Sequence, residues 1–225
     1  MIATKTDVRS RIEEFGIVPS IKPGLRPSAF DEVRFAAEAL NAACIPVLEV
    51  NMTVPGALDV VAQLTKAFPE MIIGADVMEI EMARRCVDEG ARFLTSPVLL
   101  TNLVQFAVSH DVVVFPGALT PSEVVTAWDS GADFVKVFPC SQVGGAGYVA
   151  ALHGPLPQIP LIASGGVNQQ TAGNFIRFGA TALGIGAELV PRSAIQNRNG
   201  DQIRELARRF LLAVKDGRAQ RMGQS

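Results

Sequence analysis

Residues 131–139 read Gly-Ala-Asp-Phe-Val-Lys-Val-Phe-Pro, and this stretch indicates both the fold and a candidate site. Its last seven residues are typical of a short β-strand, apolar except at Asp133 and Lys136. Successive side chains of a strand point to opposite faces, so Lys136 shares its face with Phe134 and Phe138. We predict that the amine is desolvated, with a lowered pKa that makes it a nucleophile near neutral pH. Lysines of this kind form Schiff bases with carbonyl substrates. The alternative is a lysine that extends from the strand end into solvent.

The Gly-Ala pair that opens this stretch has two counterparts in the same kind of position, so that the three lie at residues 90–91, 131–132 and 179–180. Each pair lies between a predicted helix and a predicted strand, where glycine suits the end of the helix and alanine permits a tight turn. The repetition indicates a chain built from alternating helices and strands.

That alternation extends along the chain. We predict strands at residues 17–22, 45–51, 71–74, 92–96, 112–115, 133–139, 160–164 and 182–186. Helices are predicted between them at residues 28–44, 54–67, 79–89, 101–109, 121–128, 148–153 and 168–178, with a final helix at 201–215. A leading helix is expected within residues 1–15 and a frayed tail over residues 216–225. We predict a single domain, residues 1–225, that forms an α/β TIM (β/α)8 barrel with a short N-terminal helix. A doubly wound open sheet is the alternative.

Composition narrows the classes of function. The net charge of −2 over 225 residues gives no electrostatic reason to expect nucleic acid or an anionic membrane as a partner. The three cysteines are far apart and suit a reducing compartment. Residues 1–10 contain no apolar signal-peptide core, and no apolar run approaches the length of a membrane span. With two histidines far apart in the sequence, a histidine metal site is not expected. We predict a cytoplasmic protein without a metal.

Glu49 is the second candidate catalytic residue. In Val47-Leu48-Glu49-Val50-Asn51, alternation places Glu49 on one face with Val47 and Asn51. A carboxylate inside an apolar strand is costly unless it pairs or titrates, and Lys136 is the expected partner. One interpretation is a buried ion pair that has no catalytic role. The other makes Glu49 a proton shuttle with a pKa raised by burial.

Two small-residue turns follow the predicted seventh and eighth strands, Ser164-Gly165-Gly166 and Gly184-Ile185-Gly186-Ala187. Barrels often bind phosphate at these strand ends, where backbone N–H groups and a helix N-terminus hold the anion. We predict a phosphate site there, and plain tight turns are the alternative. Glu188, directly after the second turn, counts against tight phosphate binding unless it points outward.

The order of motifs along the chain resembles that of one known family, the 2-keto-3-deoxy-6-phosphogluconate (KDPG) and 4-hydroxy-2-oxoglutarate aldolases. The similarity extends over residues 17–191. It is carried by Leu48-Glu49-Val50, Gly74-Ala75, Thr95-Ser96-Pro97, Pro116-Gly117-Ala118, Thr120-Pro121-Ser122-Glu123, Val135-Lys136-Val137-Phe138-Pro139, Gly144-Gly145 and Ser164-Gly165-Gly166-Val167.

The resemblance implies a trimeric class I aldolase on a TIM barrel, without metal. Its substrate would be a small 2-keto acid, and Lys136 would be the Schiff-base lysine with Glu49 as the general acid and base. Phe138 and Pro139 would line the pyruvate pocket, with Pro97 packed beside it. The phosphate site would comprise Ser164, Gly165, Gly166, Gly186 and Ala187.

Two departures from the family pattern affect the substrate. The family usually carries Leu-Glu-Val-Thr-Leu-Arg, whose arginine holds the substrate carboxylate, and here Thr53 stands at the arginine position. Gly-Ala-Gly-Thr-Val is replaced by Gly-Ala-Asp-Val-Met, which introduces Asp76. We interpret Asp76 as a helix-entry or supporting residue. Thr53 remains a substrate-binding candidate, and Lys22 or Arg26 could supply the missing cation.

The favoured hypothesis is a class I lyase. It would cleave KDPG to pyruvate and glyceraldehyde 3-phosphate, or 4-hydroxy-2-oxoglutarate to pyruvate and glyoxylate. One alternative is a related keto-acid lyase with an altered substrate. Another is a catalytically silent barrel that binds sugar phosphates.

Overall fold

The computed structural model describes residues 3–21 and 29–223, and within them parallel strands alternate with helices. The strands are β1 Ile17–Ile21, β2 Val47–Asn51, β3 Ile72–Asp76, β4 Phe93–Thr95, β5 Val113–Phe115, β6 Gly117–Ala118, β7 Val135–Val137, β8 Leu161–Ser164 and β9 Ala180–Ile185. The helices are α1 Lys5–Phe15, α2 Ala29–Ala42, α3 Ala57–Ala67, α4 Ile80–Asp88, α5 Thr101–Ser109, α6 Pro121–Asp129, α7 Ala146–His153, α8 Ala172–Arg177, α9 Arg192–Gln196 and α10 Gly200–Met222. A 3-10 turn, Ser141–Val143, precedes α7.

The nine strands form one sheet in the order β5-β4-β3-β2-β1-β9-β8-β7-β6, and every pairing is parallel. Strands β5 and β6 are separated only by Pro116, so the two ends of the order belong to one stretch of chain. Strand β4 pairs with β5, the first half of this stretch, and β7 pairs with β6, its second half. The backbone N–H of Lys136 also donates to the Pro116 carbonyl at 2.9 Å. The predicted (β/α)8 barrel is therefore confirmed, and the open-sheet alternative is wrong.

The barrel interior is a separate apolar core. Side chains that point inward from seven of the strands form it together with two residues of α1 and Phe134, which directly precedes β7. Its members are Val8, Ile12, Val18, Val47, Ile72, Phe93, Val113, Phe115, Phe134, Ile162 and Ala182. Helix α1 thus closes the end of the barrel at which the strands begin, and the predicted leading helix forms its floor. A larger apolar cluster, which includes Val135 and Val137, lies between the strands and the surrounding helices. The predicted alternation along β7 is confirmed.

An ion pair attaches this floor to the strands. Lys5 Nζ lies 3.0 Å from Asp133 Oδ2, and the same oxygen accepts a hydrogen bond from the backbone N–H of Val114 at 2.9 Å. Asp133, the residue expected at the polar start of the lysine strand, is buried there. Its charge is compensated by one cation and one backbone donor, as a buried carboxylate requires.

The C-terminal segment differs from the prediction. Helix α10 continues to Met222, so the frayed tail expected from Asp216 is wrong. Tertiary contacts explain the extension: Val214 and Gly217 are buried, and a Cβ at Gly217 would lie 2.5 Å from the Gly173 carbonyl oxygen of α8. Arg218 also donates to the Glu14 carbonyl at 2.7 Å. A polar segment can therefore be ordered by helix packing that its own composition does not indicate.

The loop after β8 also differs. The helix predicted from residue 168 begins at Ala172 and has six residues. Asn168 instead forms a turn, in which its Oδ1 accepts hydrogen bonds from the backbone N–H groups of Gln170 and Thr171, each at 3.0 Å. Asparagine commonly competes with helix formation in this way. The predicted phosphate site assumed that Gly165 and Gly166 lead directly into a helix. They do not, because the Asn168 turn lies between them and α8.

Candidate active site

A cavity of about 700 Å³ lies where the parallel strands end. Lys136 of β7 and Glu49 of β2 line it, together with Ser164 at the end of β8. The carboxyl ends of the strands are where barrel enzymes place their active sites. Of the predicted site residues, those that line the cavity are Glu49, Thr53, Pro97, Lys136, Phe138, Ser164, Gly165, Gly166, Gly186 and Ala187.

Three other predicted site residues are not among the described residues that line the cavity. Pro139 is not among the residues that line the cavity. It lies behind the β8 turn, where its Cα would be 2.9 Å from a Cβ placed on Gly165, so it shapes that turn. Lys22 and Arg26 lie outside the described residues.

The amine of Lys136 points into the barrel and is 5% exposed, so the alternative of a solvent-directed lysine is wrong. Its Nζ lies 3.7 Å from Glu49 Oε2 and 3.4 Å from Asp76 Oδ2. It also donates to Thr95 Oγ1 at 3.4 Å, and the Phe138 ring centroid is 5.8 Å away. Three oxygen acceptors from three different strands therefore surround one nitrogen.

These acceptors reverse the predicted pKa shift. Desolvation is the largest single influence on the pKa of Lys136, and it acts downward as the sequence suggested. The negative charges of Glu49 and Asp76, with the hydrogen bonds they accept, together outweigh it, and the pKa is raised above its ordinary value. The expectation that burial alone would make the amine neutral near pH 7 is wrong, because the site contains a second carboxylate that the prediction did not assign to the lysine.

Glu49 is held by two hydroxyl groups. Ser20 Oγ donates to its Oε1 at 2.5 Å, and Thr95 Oγ1 donates to its Oε2 at 2.9 Å. The residue is 3% exposed, and both donors are also buried. The predicted pairing of Glu49 with Lys136 is confirmed as geometry. The two hydroxyl groups therefore hold the carboxylate beside the amine.

Asp76 has a direct contact that the sequence interpretation did not predict. It ends β3, directly opposite Asn51 at the end of β2 and Thr95 at the end of β4. Asn51 Nδ2 donates to Asp76 Oδ2 at 3.1 Å. The Asn51 Oδ1 in turn accepts from the backbone N–H of Thr53 at 2.9 Å and from the Thr53 hydroxyl. Asp76 is therefore a partly buried partner of Lys136 and not merely a helix-entry residue.

Sequence reasoning also missed Ser20 and Thr95 as parts of the site. Each is a polar residue in an otherwise apolar strand, on the face that points into the barrel. The same alternation that selected Glu49 could have found them. Because hydroxyl groups are common in strands, this signal becomes specific only when the strand ends are known to converge.

The turn after β8 packs against the segment that follows β7, and the end of β8 packs against β9. Gly166 adopts φ +81°, and a Cβ there would lie 2.5 Å from Ser141 Cβ. A Cβ at Gly184 would lie 2.8 Å from Ser164 Oγ. Glu188 is exposed and lines the same cavity. Gly165, Gly166 and Gly186 line the cavity as well, so glycines of the turns after β8 and β9 face it with a carboxylate beside them.

Charge is unevenly distributed over the cavity wall. Among the described residues that line it, Lys136 is the one cation, whereas Glu49, Asp76, Glu79 and Glu188 are acidic. The described part of the chain contains no group of three or more His, Cys, Asp or Glu side chains placed to hold a metal ion. No described helix combines the length and apolar character needed to cross a membrane.

The fold and the site together define a barrel enzyme with a buried lysine beside a carboxylate. The family profile described as KDPG and KHG aldolase matches residues 8–206. The chain belongs to this family, which confirms the predicted enzyme class of carbon–carbon lyase.

Individual relatives agree with this assignment. The chain is 30% identical over 180 residues to the KHG/KDPG aldolase of Escherichia coli (strain K12), covering 80% of this chain and 84% of that protein. It is 30% identical over 173 residues to a 2-dehydro-3-deoxy-phosphogluconate aldolase of Pseudoalteromonas atlantica, covering 76% and 80% of the two chains. The KDPG aldolase of Legionella pneumophila superposes with a TM-score of 0.80 at 28% identity, over 88% of this chain and 95% of that one. That structure contains pyruvate captured at low pH as a covalent carbinolamine intermediate.

Proposed function

We propose that the protein is a class I aldolase that cleaves a 2-keto acid through an imine on Lys136. The substrate would be a 2-keto-3-deoxy-6-phospho sugar acid such as KDPG, or 4-hydroxy-2-oxoglutarate. The observation that carries the proposal is the buried Nζ of Lys136, 3.7 Å from Glu49 Oε2 in a cavity at the carboxyl ends of the strands. The carbinolamine in the Legionella pneumophila relative supports the same chemistry.

The reaction follows from these two groups. The Lys136 ammonium first loses a proton to solvent, and the neutral amine adds to the C2 carbonyl carbon. One proton moves from the nitrogen to the carbonyl oxygen to form a neutral carbinolamine. A second proton, which balances the one first lost to solvent, lets that oxygen leave as water and gives an iminium. Glu49 then takes the proton of the C4 hydroxyl group, the C3–C4 bond breaks, and its electron pair moves towards the iminium nitrogen. The aldehyde departs, and the remaining enamine takes a proton at C3 from Glu49. Water finally hydrolyses the imine to release pyruvate and the lysine.

The remaining candidate residues would bind the two ends of the substrate. Phe138 and Pro97 would contact the pyruvate portion, with Pro139 supporting the neighbouring turn, and Thr53 would contact its carboxylate end. Lys22 or Arg26 would supply a cation for that carboxylate. The backbone of the two small-residue turns would hold the phosphate; its members are Ser164, Gly165, Gly166, Gly186 and Ala187. We also propose a homotrimer in the cytoplasm, which sedimentation equilibrium and cell fractionation would test.

Borohydride trapping tests the imine directly. Incubation with pyruvate and sodium borohydride should add a reduced pyruvate group to Lys136, identified by peptide mass spectrometry. The Lys136→Ala variant should lose the label, whereas Lys66→Ala, which removes an exposed lysine, should keep it. An unlabelled Lys136 in folded protein, under conditions that label a known class I aldolase, would rule out the mechanism.

One observation favours an altered substrate within the same class. Glu188 lines the cavity beside the turns proposed to bind phosphate, and a fixed negative charge there disfavours an anion. Turnover of a panel of phosphorylated and unphosphorylated 2-keto-3-deoxy and 4-hydroxy-2-oxo acids separates the candidates. Faster turnover of an unphosphorylated acid would support the altered substrate. Binding of pyruvate without turnover of any panel member would support a silent sugar-phosphate-binding barrel.

A further inference from the structure

Asp76, Asn51 and Thr53 are three of the positions at which this chain departs from the family pattern, and the structure connects these three. Thr53 donates to Asn51, Asn51 donates to Asp76, and Asp76 accepts from Lys136. The sheet register places Asn51 directly opposite Asp76. The departures therefore form one continuous chain of contacts that ends at the amine.

The orientation of the Asn51 amide is determined at both ends. Its carbonyl oxygen accepts the backbone N–H of Thr53, so its NH2 group faces Asp76. An amide NH2 group only donates hydrogen bonds, and it does not take up a proton from a neighbouring carboxyl group. Asp76 is thus paired with a permanent donor on one side and an ammonium on the other, both of which favour the ionised carboxylate.

Glu49 has a different environment. Its donors are the hydroxyl groups of Ser20 and Thr95, each of which can either donate or accept. A hydroxyl group can therefore remain hydrogen-bonded whether Glu49 is ionised or protonated. Two carboxylates near one amine, in environments of opposite character, are suited to different tasks.

We propose that Asp76 is a positioning residue that holds the Lys136 nitrogen opposite Glu49 and acts as a second counter-ion whenever that nitrogen is positively charged. The nitrogen is positively charged both as the ammonium and as the iminium. In both states Asp76 contacts the nitrogen from β3 while Glu49 contacts it from β2. The charged groups that face the amine from the described elements are Glu49 on β2 and Asp76 on β3. The part of this role that concerns the iminium rests on the proposed function, whereas the effect on the free lysine does not.

The free lysine can be tested without any substrate. A neutral amine reacts with acetic anhydride, and below the pKa its labelling rate rises about tenfold for each unit by which the pKa falls. An opposite charge in contact shifts a pKa by about one to three units, so Asp76→Asn should speed the labelling of Lys136 about tenfold or more near pH 8. Peptide mass spectrometry reads this rate for Lys136, with exposed lysines as internal references.

Three further variants distinguish the direct contact between Asp76 and Lys136 from a general change in cavity charge or in folding. Glu79 is an exposed acid on the cavity wall, and among the described residues the amine pairs with Glu49 and Asp76 instead. Glu79→Gln should therefore change labelling less than about twofold. Asn51→Ala keeps the Asp76 charge but removes its donor, so labelling should rise less than in Asp76→Asn. Asp76→Ser is the second variant should Asp76→Asn not fold. Labelling of Lys136 that rises less than about threefold in folded Asp76→Asn or Asp76→Ser, or equally in Glu79→Gln, would overturn the proposal.

Turnover provides the second measurement. In Asp76→Asn the imine with pyruvate should still be trapped, while kcat for aldol cleavage falls about tenfold to a hundredfold because the iminium has lost a counter-ion. An unchanged kcat would overturn the counter-ion role. If the wild-type protein forms no imine at all, the proposed function fails, and the labelling experiment still decides whether Asp76 controls the ionisation of Lys136.

Discussion

Thr95 Oγ1 donates to Glu49 Oε2 at 2.9 Å and accepts a hydrogen bond from Lys136 Nζ at 3.4 Å. A hydroxyl group has one proton and two lone pairs, so it can serve both neighbours at once. Thr95 thereby fixes the distance between the proposed acid–base group and the proposed nucleophile. Each lies on a different strand, and only the closed barrel brings them together.

Thr95→Val should therefore reduce turnover while preserving the fold. The substitution is close to isosteric and removes the donor that orients Glu49, so we expect kcat to fall about tenfold to a hundredfold with a smaller change in KM. Steady-state kinetics on a cleaved 2-keto acid provide the measurement. Thr126→Val, which removes an exposed hydroxyl bonded to the Ser122 carbonyl on α6, is the matched control and should retain wild-type kcat. Equal activity of both variants would contradict the role of Thr95.

Gly166→Ala should destabilise the protein at the turn after β8. The backbone φ of +81° is unfavourable for alanine, and the added Cβ would lie 2.5 Å from Ser141 Cβ. We expect a loss of about 1–3 kcal/mol in the free energy of unfolding, and a raised KM for a phosphorylated substrate. Gly147→Ala on α7, where a Cβ meets nothing within 4 Å, should stay within about 1 kcal/mol of wild type. Urea denaturation compares the two, and equal stabilities would show that the turn can rearrange.

Ile12→Ala tests the role of α1 as the floor of the barrel. Ile12 is fully buried in the inner core, so its truncation should lower the free energy of unfolding by about 2–5 kcal/mol. Leu212→Ala on α10, where the side chain is 50% exposed, should change it by less than about 0.5 kcal/mol. Chemical denaturation followed by circular dichroism distinguishes them. If α1 contributed little to the stability of the barrel, both variants would lose similarly small amounts of the free energy of unfolding.

Thiol reactivity should follow burial. Cys44 is exposed, whereas burial raises the pKa of Cys86 to about 11 and that of Cys140 to about 12. Because the thiolate is the reactive form, native protein near pH 8 should show one rapidly titrating thiol with Ellman's reagent and three after denaturation. The Cys44→Ser variant should lose the rapid phase. A rapid reaction of Cys140 would indicate that the segment after β7 opens readily.

Much of the fold could be predicted because its signals are local. The Gly-Ala turns, the apolar strands and the helical patterns each depend on a few neighbouring residues, and their spacing leaves little choice of topology. The position of Lys136 on the inner face followed from the period of two along β7. Glu49 was placed beside it by the same rule. Errors occurred where distant packing decides the outcome, as in α10, which α8 keeps helical beyond Asp216.

The candidate site was predicted less completely, because its contacts join residues far apart in the sequence. Asp76 contacts Lys136 across a separation of 60 residues, and Thr95 contacts it across 41. The sequence suggested that burial would lower the pKa of the lysine. The structure adds a second carboxylate, Asp76, to Glu49 at the same nitrogen, and together their charges and hydrogen bonds reverse the direction. No periodicity along a single strand contains that information.

By itself, the order of residues determined the alternation of strands and helices, the inward direction of Lys136 and Glu49, and the family to which the chain belongs. Only the tertiary structure decided that Asp76, Asn51 and Thr53 form one chain of contacts to the amine, and that the amine is held as a cation. The physical reason is that side-chain direction depends on local backbone geometry. The electrostatic environment of a buried charge depends instead on every strand end that meets it, and these converge only when the barrel closes.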